Sequence, residues 1–365
     1  MSTSVRRRQG DRLERIKASP RWSDGAFHNT TRVAPGLRRG TAWSTLGEFV
    51  SGKQQRTPPA PLPAESPLAR WAHAPETGLR ATWLGHSTVL VEIDGRRVLT
   101  DPVWGERASP SRLVGPKRFQ PVPVPLAALP ALDAVIVSHD HYDHLDAPTV
   151  RELARGDVPF FTSLGVGAHL EAFGVPAERI TELDWWESAE LEGLRITAAP
   201  SQHFSGRGLG RNRTLWSSFA VRGPRHAFFF SGDTGLTHEY AEIAARLGPF
   251  DLIMLEVGAF HPSWGDIHLG PANALAAHAL LGGGSFLPVH WGTLNLALHA
   301  WDEPAEDLVR LAPARGAHLV MPRLGAPVEP SRVEGVEPWW RALAGAAAVV
   351  PDAEPALEEL AGPID

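Results

Sequence analysis

Apolar and polar positions divide the chain near Leu79. Before it Arg, Pro and Ser dominate, no helical or strand period persists, and TPPAPLPAESP (57–67) reads as an extended linker. After it, short apolar runs alternate with turn residues. ATWLGHS (81–87) and TVLVEI (88–93) have strand character, Asp94-Gly95 is a hairpin-turn signature, and RRVLTDP (96–102) is the returning strand. LDAVIVSH (132–139) runs from an apolar strand straight into histidine, and TVRELARG (149–156) is a short helical pattern after Pro148. Strand-like runs such as VPFFTS, LRITAAPSQH, HAFFFSGD, DLIMLEV and SFLPVHWG then interleave with helix-like GAHLEAFG, EYAEIAARLG and GPANALAAHALL. That mixture predicts an α/β layered sandwich. A faint echo between STVLVEIDGRRVLTD (87–101) and SSFAVRGPRHAFFFSGD (217–233) predicts two related halves facing each other. The expected organisation is a basic, Pro-rich extension over 1–75, a compact domain over 76–330 and a helical tail over 331–365.

Composition narrows the chemistry. The 365 residues, 43% of them hydrophobic, can fill a sizeable core. Cysteine is absent, so any metal site has to use imidazole and carboxylate. The first residues lack the apolar stretch of a secretory signal, and the apolar run 342–350 is far short of the ~20 residues that span a bilayer, so a cytoplasmic protein is expected. The net charge of −6 is unevenly divided: residues 1–58 carry 12 Lys+Arg against 4 Asp+Glu, a net +8, which leaves −14 for the remainder. Such an arm either docks on the acidic body or touches an anionic surface; peripheral membrane contact is the partner it suggests, and no nucleic acid is expected.

The chemistry concentrates in His139, His141, Asp143 and His144, four candidate ligands in six residues directly after an apolar strand. Imidazoles and carboxylates so closely set are costly to desolvate unless a cation organises them. His203, Asp233 and His290 follow later apolar strands in the same way, at the strand ends where α/β sheets assemble their sites.

HxHxDH followed by His, Asp and His resembles the metallo-β-lactamase superfamily, whose fold is an αβ/βα four-layer sandwich with a dinuclear centre at one edge. The resemblance implies that one metal takes His139, His141 and His203, that the other takes Asp143, His144 and His290, and that Asp233 bridges them. Two zinc ions suit this set, with manganese or iron as alternatives. Two divalent ions among two aspartates and a hydroxide leave a cationic core suited to hydrolysis. WLGHSTVLVEIDGRRVLTDPVW (83–104), QHFSGR (202–207), NRTLWSSFAV (212–221), FFFSGDTG (228–235) and PVHWGT (288–293) are similar to the N-acylphosphatidylethanolamine-hydrolysing phospholipase D family, which cleaves a lipid phosphodiester. The chain departs from that family in a shorter Trp264–His268 segment and in Pro271-Ala272-Asn273, where the family is acidic.

On this resemblance Asp143, His144, Asp233 and His268 carry catalysis, and the substrate is a small molecule or phospholipid. Asp101 is expected to orient a liganding imidazole or the HxHxDH loop, and His86 and His268 to reach substrate oxygens. Arg207, Arg211 and Arg213 are candidates for a substrate phosphate, and Trp216, Trp264 and Trp291 for an apolar acyl pocket. Competing readings are a lactone or carboxylic ester hydrolase on the same centre and a non-catalytic metal-bearing module at a membrane surface. The oligomeric state is open.

Overall fold

The computed structural model describes residues 3–31, 33, 38, 40–52, 54–111, 113–208 and 210–344. A small ribbon, β1 (Trp22–Ser23) and β2 (Ala26–Phe27), precedes two seven-stranded sheets. The first contains β3 (Leu79–Gly85), β4 (Thr88–Ile93), β5 (Arg96–Thr100), β6 (Ala134–Val137), β7 (Phe160–Ser163) and β8 (Ile180–Leu183). The second contains β9 (Ser188–Leu191), β10 (Leu194–Ala199), β11 (Ser218–Arg222), β12 (Ala227–Phe230), β13 (Leu252–Glu256), β14 (Ser285–Val289) and β15 (His318–Leu319). The last strand, β16 (Pro327–Val328), returns to pair with β3.

Read from β16 and from β9, the two sheets repeat one pattern of three antiparallel and then three parallel pairings. The echo between 87–101 and 217–233 is thus β4–β5 and β11–β12 in equivalent places. Asp94 and Gly95 turn the first of these hairpins with φ of 49° and 84°, the paired positive values a two-residue type I′ turn requires.

Side-chain alternation explains the layers. Along β6, Ala134 and Ile136 face the core shared with the second sheet, while Val135 and Val137 pack with Val150 and Leu170 of the helices Ala147–Leu153 and Gly167–Ala172. The second sheet is covered by the helices Glu239–Leu247, Gly270–Leu280 and Glu303–Leu311, which contribute Tyr240, Leu275 and Leu308 to the core. The order is helix, sheet, sheet, helix. Where both faces are covered, as in β6 (AVIV), β12 (AFFF) and β14 (SFLPV), the strands are near-continuous apolar runs.

The extension, which shows no period in the sequence, is built against this body. Its helix Thr3–Ala18 pairs Arg12 with Glu171 and Glu182 at 2.5 Å each, and Phe27 of the ribbon is fully buried. At the other end, Trp339 and Trp340 are buried against Trp291; of the expected helical tail only Arg341–Ala344 is α-helical among the described residues, and 345–365 lie outside them.

Candidate metal centre

Strands from both sheets end at one edge, and the loops leaving them carry the candidate ligands. His139 follows β6, His203 follows β10, Asp233 follows β12 and His290 follows β14. His139 Nε2, His141 Nδ1, His203 Nε2 and an Asp233 oxygen form one cluster of converging atoms; Asp143, His144 and His290 meet beside it. In the first nest His139 Nε2 lies 2.9 Å and His203 Nε2 3.3 Å from His141 Nδ1, and both face Asp233 Oδ2 at 3.9 and 3.6 Å. In the second, His144 Nε2 and His290 Nε2 each lie 3.1 Å from Asp233 Oδ1 and 3.4 and 3.3 Å from Asp143 Oδ2. Asp233 therefore turns one carboxylate oxygen to each nest.

Hydrogen bonds behind the nests fix which ring nitrogens carry protons. His144 Nδ1 donates to Asp101 Oδ2 at 2.6 Å, and His203 Nδ1 donates to the Ile267 carbonyl at 2.9 Å. Ser138 Oγ donates its proton to Asp101 Oδ2, so it can only accept from His139 Nδ1, at 2.9 Å. In their neutral forms all three rings turn an Nε2 lone pair inward. His139 Nε2 and His141 Nδ1 converging at 2.9 Å, and buried His144 Nε2, His290 Nε2 and Asp233 Oδ1 without hydrogen-bond partners, fit a site that holds cations. Electrostatics agree. Burial opposes charge on His144 and His290, yet Asp233 and Asp143 outweigh it and raise both, His290 to about 10. Burial keeps His139 and His203 well below the usual imidazole range, hence neutral.

The backbone here is strained. Asp101, His86, Ala259 and His290 have φ between 33° and 66°, a conformation that costs about 1–3 kcal/mol each and persists where surrounding structure enforces it. Asp101, besides accepting from His144 Nδ1, accepts from Ser138 N at 2.7 Å at the start of the HxHxDH loop.

A cavity of about 320 Å³ opens over the nests, lined by His141, Asp143, His203, Asp233, His268 and His290, and walled by Phe204, Trp264, Ile267, Leu296 and Arg211. Several expectations are corrected here. Arg207 does not face the cavity; its guanidinium donates to the Asp140 and Leu145 carbonyls and pins the HxHxDH loop. Arg213 is spent on the Gly25 carbonyl, which leaves Arg211 as the cavity arginine of the three. Trp216 is buried with Ile16, Phe27 and Leu215, and Trp291 stacks on Trp83, so neither forms a wall of this cavity. His86 is fully buried with Nε2 3.0 Å from Asp143 Oδ2, where it steadies that carboxylate instead of meeting substrate; burial, then the His290 charge, lowers it to about 3.

Two important residues escape the sequence reading. Glu256, wholly buried at the end of β13, accepts from His268 Nδ1 at 3.0 Å and from the Thr234 and Leu269 amides. The sequence signal for it is a lone acid closing the apolar run LIMLE. Asn29 clasps the His203 backbone from the N-terminal segment and has no such signal.

Two face-packed sheets with this double nest on their common edge define the metallo-β-lactamase fold. A family model described as a beta-lactamase superfamily domain matches residues 96–291, and the chain belongs to that superfamily as a metal-dependent hydrolase. It is similar to an uncharacterized protein of Mycobacterium tuberculosis, 48% identical over 328 residues and 88% of each chain. It is also similar to N-acyl-phosphatidylethanolamine-hydrolyzing phospholipase D 1 of Caenorhabditis elegans, 40% identical over 268 residues, 70% of this chain and 75% of the relative. The solved structure of a metallo hydrolase from Ignicoccus hospitalis shares the fold with a TM-score of 0.54 and 23% identity, over 68% of this chain and 97% of that one.

Proposed function

We propose that the chain is a dinuclear, zinc-dependent phosphodiesterase whose substrate is a phospholipid or another amphiphilic small-molecule diester. The observation that carries this reading is Asp233, with one oxygen toward each nest. His139, His141 and His203 would hold one ion, Asp143, His144 and His290 the other, and Asp233 both. The set suits zinc and admits manganese or iron. Divalent ions bound there supply Lewis acidity and water activation for attack on phosphorus.

The protein's own groups complete the chemistry. Burial opposes charge on His268, but the Glu256 carboxylate outweighs it and raises the imidazole, so the ring holds a proton at Nε2 beside the cavity and can give it to the departing oxygen. Arg211 at the exposed rim offers a cation to the phosphate. Phe204, Trp264, Ile267 and Leu296 exclude water and receive an apolar substituent. The cavity lies at the small end of the ~300–1,000 Å³ usual for ligand sites, so it fits a phosphodiester and its nearest substituents, with long acyl chains outside. That suits a substrate presented from a surface. Among the described residues no helix is long and apolar enough to cross a membrane, and exposed Trp43, Leu113 and Val114 suit peripheral contact. The Caenorhabditis elegans relative supports the lipid diester.

The test compares a chromogenic phosphodiester, an N-acylated phospholipid and a lactone at equal enzyme concentration, with the His203→Ala variant alongside. Turnover of both diesters, lost in the variant, is expected. Hydrolysis of the lactone alone, dependent on His203, overturns the phosphodiesterase reading and leaves an esterase.

A further inference from the structure

The N-terminal segment reaches the metal centre itself. Asn29 forms a two-point clasp on the backbone of His203: its Nδ2 donates to the His203 carbonyl at 2.8 Å, and its Oδ1 accepts from the His203 amide at 3.1 Å. The same Oδ1 accepts from the buried indole of Trp216 at 3.0 Å, which fixes the rotamer. The clasp is anchored by Phe27, fully buried two residues earlier, whose amide donates to the Asn212 carbonyl at 2.8 Å. Further along, Arg38 binds the far side of the same pocket, donating to the Ser263 carbonyl through its backbone at 2.7 Å, to the Trp264 carbonyl at 2.9 Å and to Asp266 at 2.8 Å. Next to Asp266, the Ile267 carbonyl receives His203 Nδ1.

Among the described residues, His203 is the one imidazole of the set whose main chain is held by a side chain from outside the compact domain. His139 and His144 are held by Ser138 and Asp101 within it, and no contact links Asn29 to Asp143, His144 or His290 among the described residues. We infer that Asn29 is a positioning residue for His203, and that the N-terminal segment is a working part of the first nest and not of the second. This rests on the metal reading above. Removing the clasp frees the loop carrying His203, and partners behind liganding groups are worth roughly 10- to 100-fold in metal affinity.

The experiment is a chelator-competition titration of zinc into the full-length chain, wild type against Asn29→Asp, which keeps size and the two acceptor contacts but sets an oxygen against the His203 carbonyl. Asn29→Ala and a core variant away from the first nest, Trp340→Leu, serve as a second clasp variant and a stability control. Cobalt spectra report the ligand field of each nest. Expected are two binding phases in wild type, one of them weakened about 10-fold or more in both Asn29 variants with an altered cobalt spectrum, and the other unchanged. Two wild-type phases that both persist unaltered in the Asn29 variants, or that weaken equally in Trp340→Leu, overturn the inference alone. Absence of zinc binding in wild type overturns the metal reading on which it stands.

Discussion

Replacing Asp101 by Asn tests how the nests are built. Asp101 is fully buried and accepts three hydrogen bonds: from His144 Nδ1 and Ser138 Oγ at 2.6 Å, and from Ser138 N at 2.7 Å. The new amide can keep its oxygen on Ser138 N, but its NH2 then meets the Nδ1–H of His144, donor against donor. His144 either loses its support or shifts its proton to Nε2, the atom that faces Asp233 at 3.1 Å, and its lone pair is gone from the nest. A hydrogen bond to a charged group contributes about 1.5–3 kcal/mol, and 1.4 kcal/mol is about tenfold, so zinc affinity in the nest of Asp143, His144 and His290 should fall about 10- to 100-fold. The amide fills the same space and relieves a buried charge, so the fold should survive. Chelator competition, with circular dichroism as the control for folding, reads the result. A folded variant that binds zinc as tightly as wild type in both nests refutes the reasoning.

Three further outcomes follow from the same geometry. His268→Gln should lower kcat for diesters about 10²- to 10⁴-fold while zinc content stays at the wild-type level, and the fall in wild-type rate at high pH should vanish; loss of zinc would instead make His268 a ligand. Because Asp143 and Asp233 raise His144 and His290 against burial, zinc entering that nest must displace protons, so its affinity should rise with pH up to about 10, whereas the nest of His139 and His203 should be nearly pH-independent around neutrality. Calorimetry in two buffers of different ionisation heat measures this, and equal proton release by both nests contradicts it. Gly235→Ala would place its Cβ 1.9 Å from the Asp266 carbonyl, pushing the segment that carries Ile267 and His268 outward; a drop in kcat of tenfold or more is expected with a destabilisation of about 1–3 kcal/mol, and unchanged kinetics would show that the segment yields freely.

The layered fold and the convergence of the candidate ligands were legible because each rests on local pattern. Short apolar strands such as Ala134–Val137 end in chemistry-bearing loops, and imidazoles crowded two and three residues apart have few uses without a cation. What surrounds the ligands was less legible. Arg207, Arg211 and Arg213 are equivalent in sequence; turn geometry alone sends Arg207 to the Asp140 carbonyl, Arg213 to Gly25 and Arg211 to the cavity. Trp216 and Trp291 sit beside ligand-bearing segments in sequence, yet their large apolar surfaces are taken up by core packing. Asn29 reaches His203 across 174 positions, a contact that no periodicity announces. The basic charge of the extension hinted at a surface partner, but Arg12 and Arg15 meet Glu171, Glu182 and Glu187 of this same chain.

The central claim is that two ions share Asp233 and carry the hydrolysis. Elemental analysis of metal-replete wild type and Asp233→Ala, paired with phosphodiester turnover of each, tests it most directly. The account predicts about two ions per chain in wild type, and in the variant fewer ions and no measurable turnover. Wild type holding almost no metal while hydrolysis continues, or Asp233→Ala retaining both ions and full activity, would contradict it.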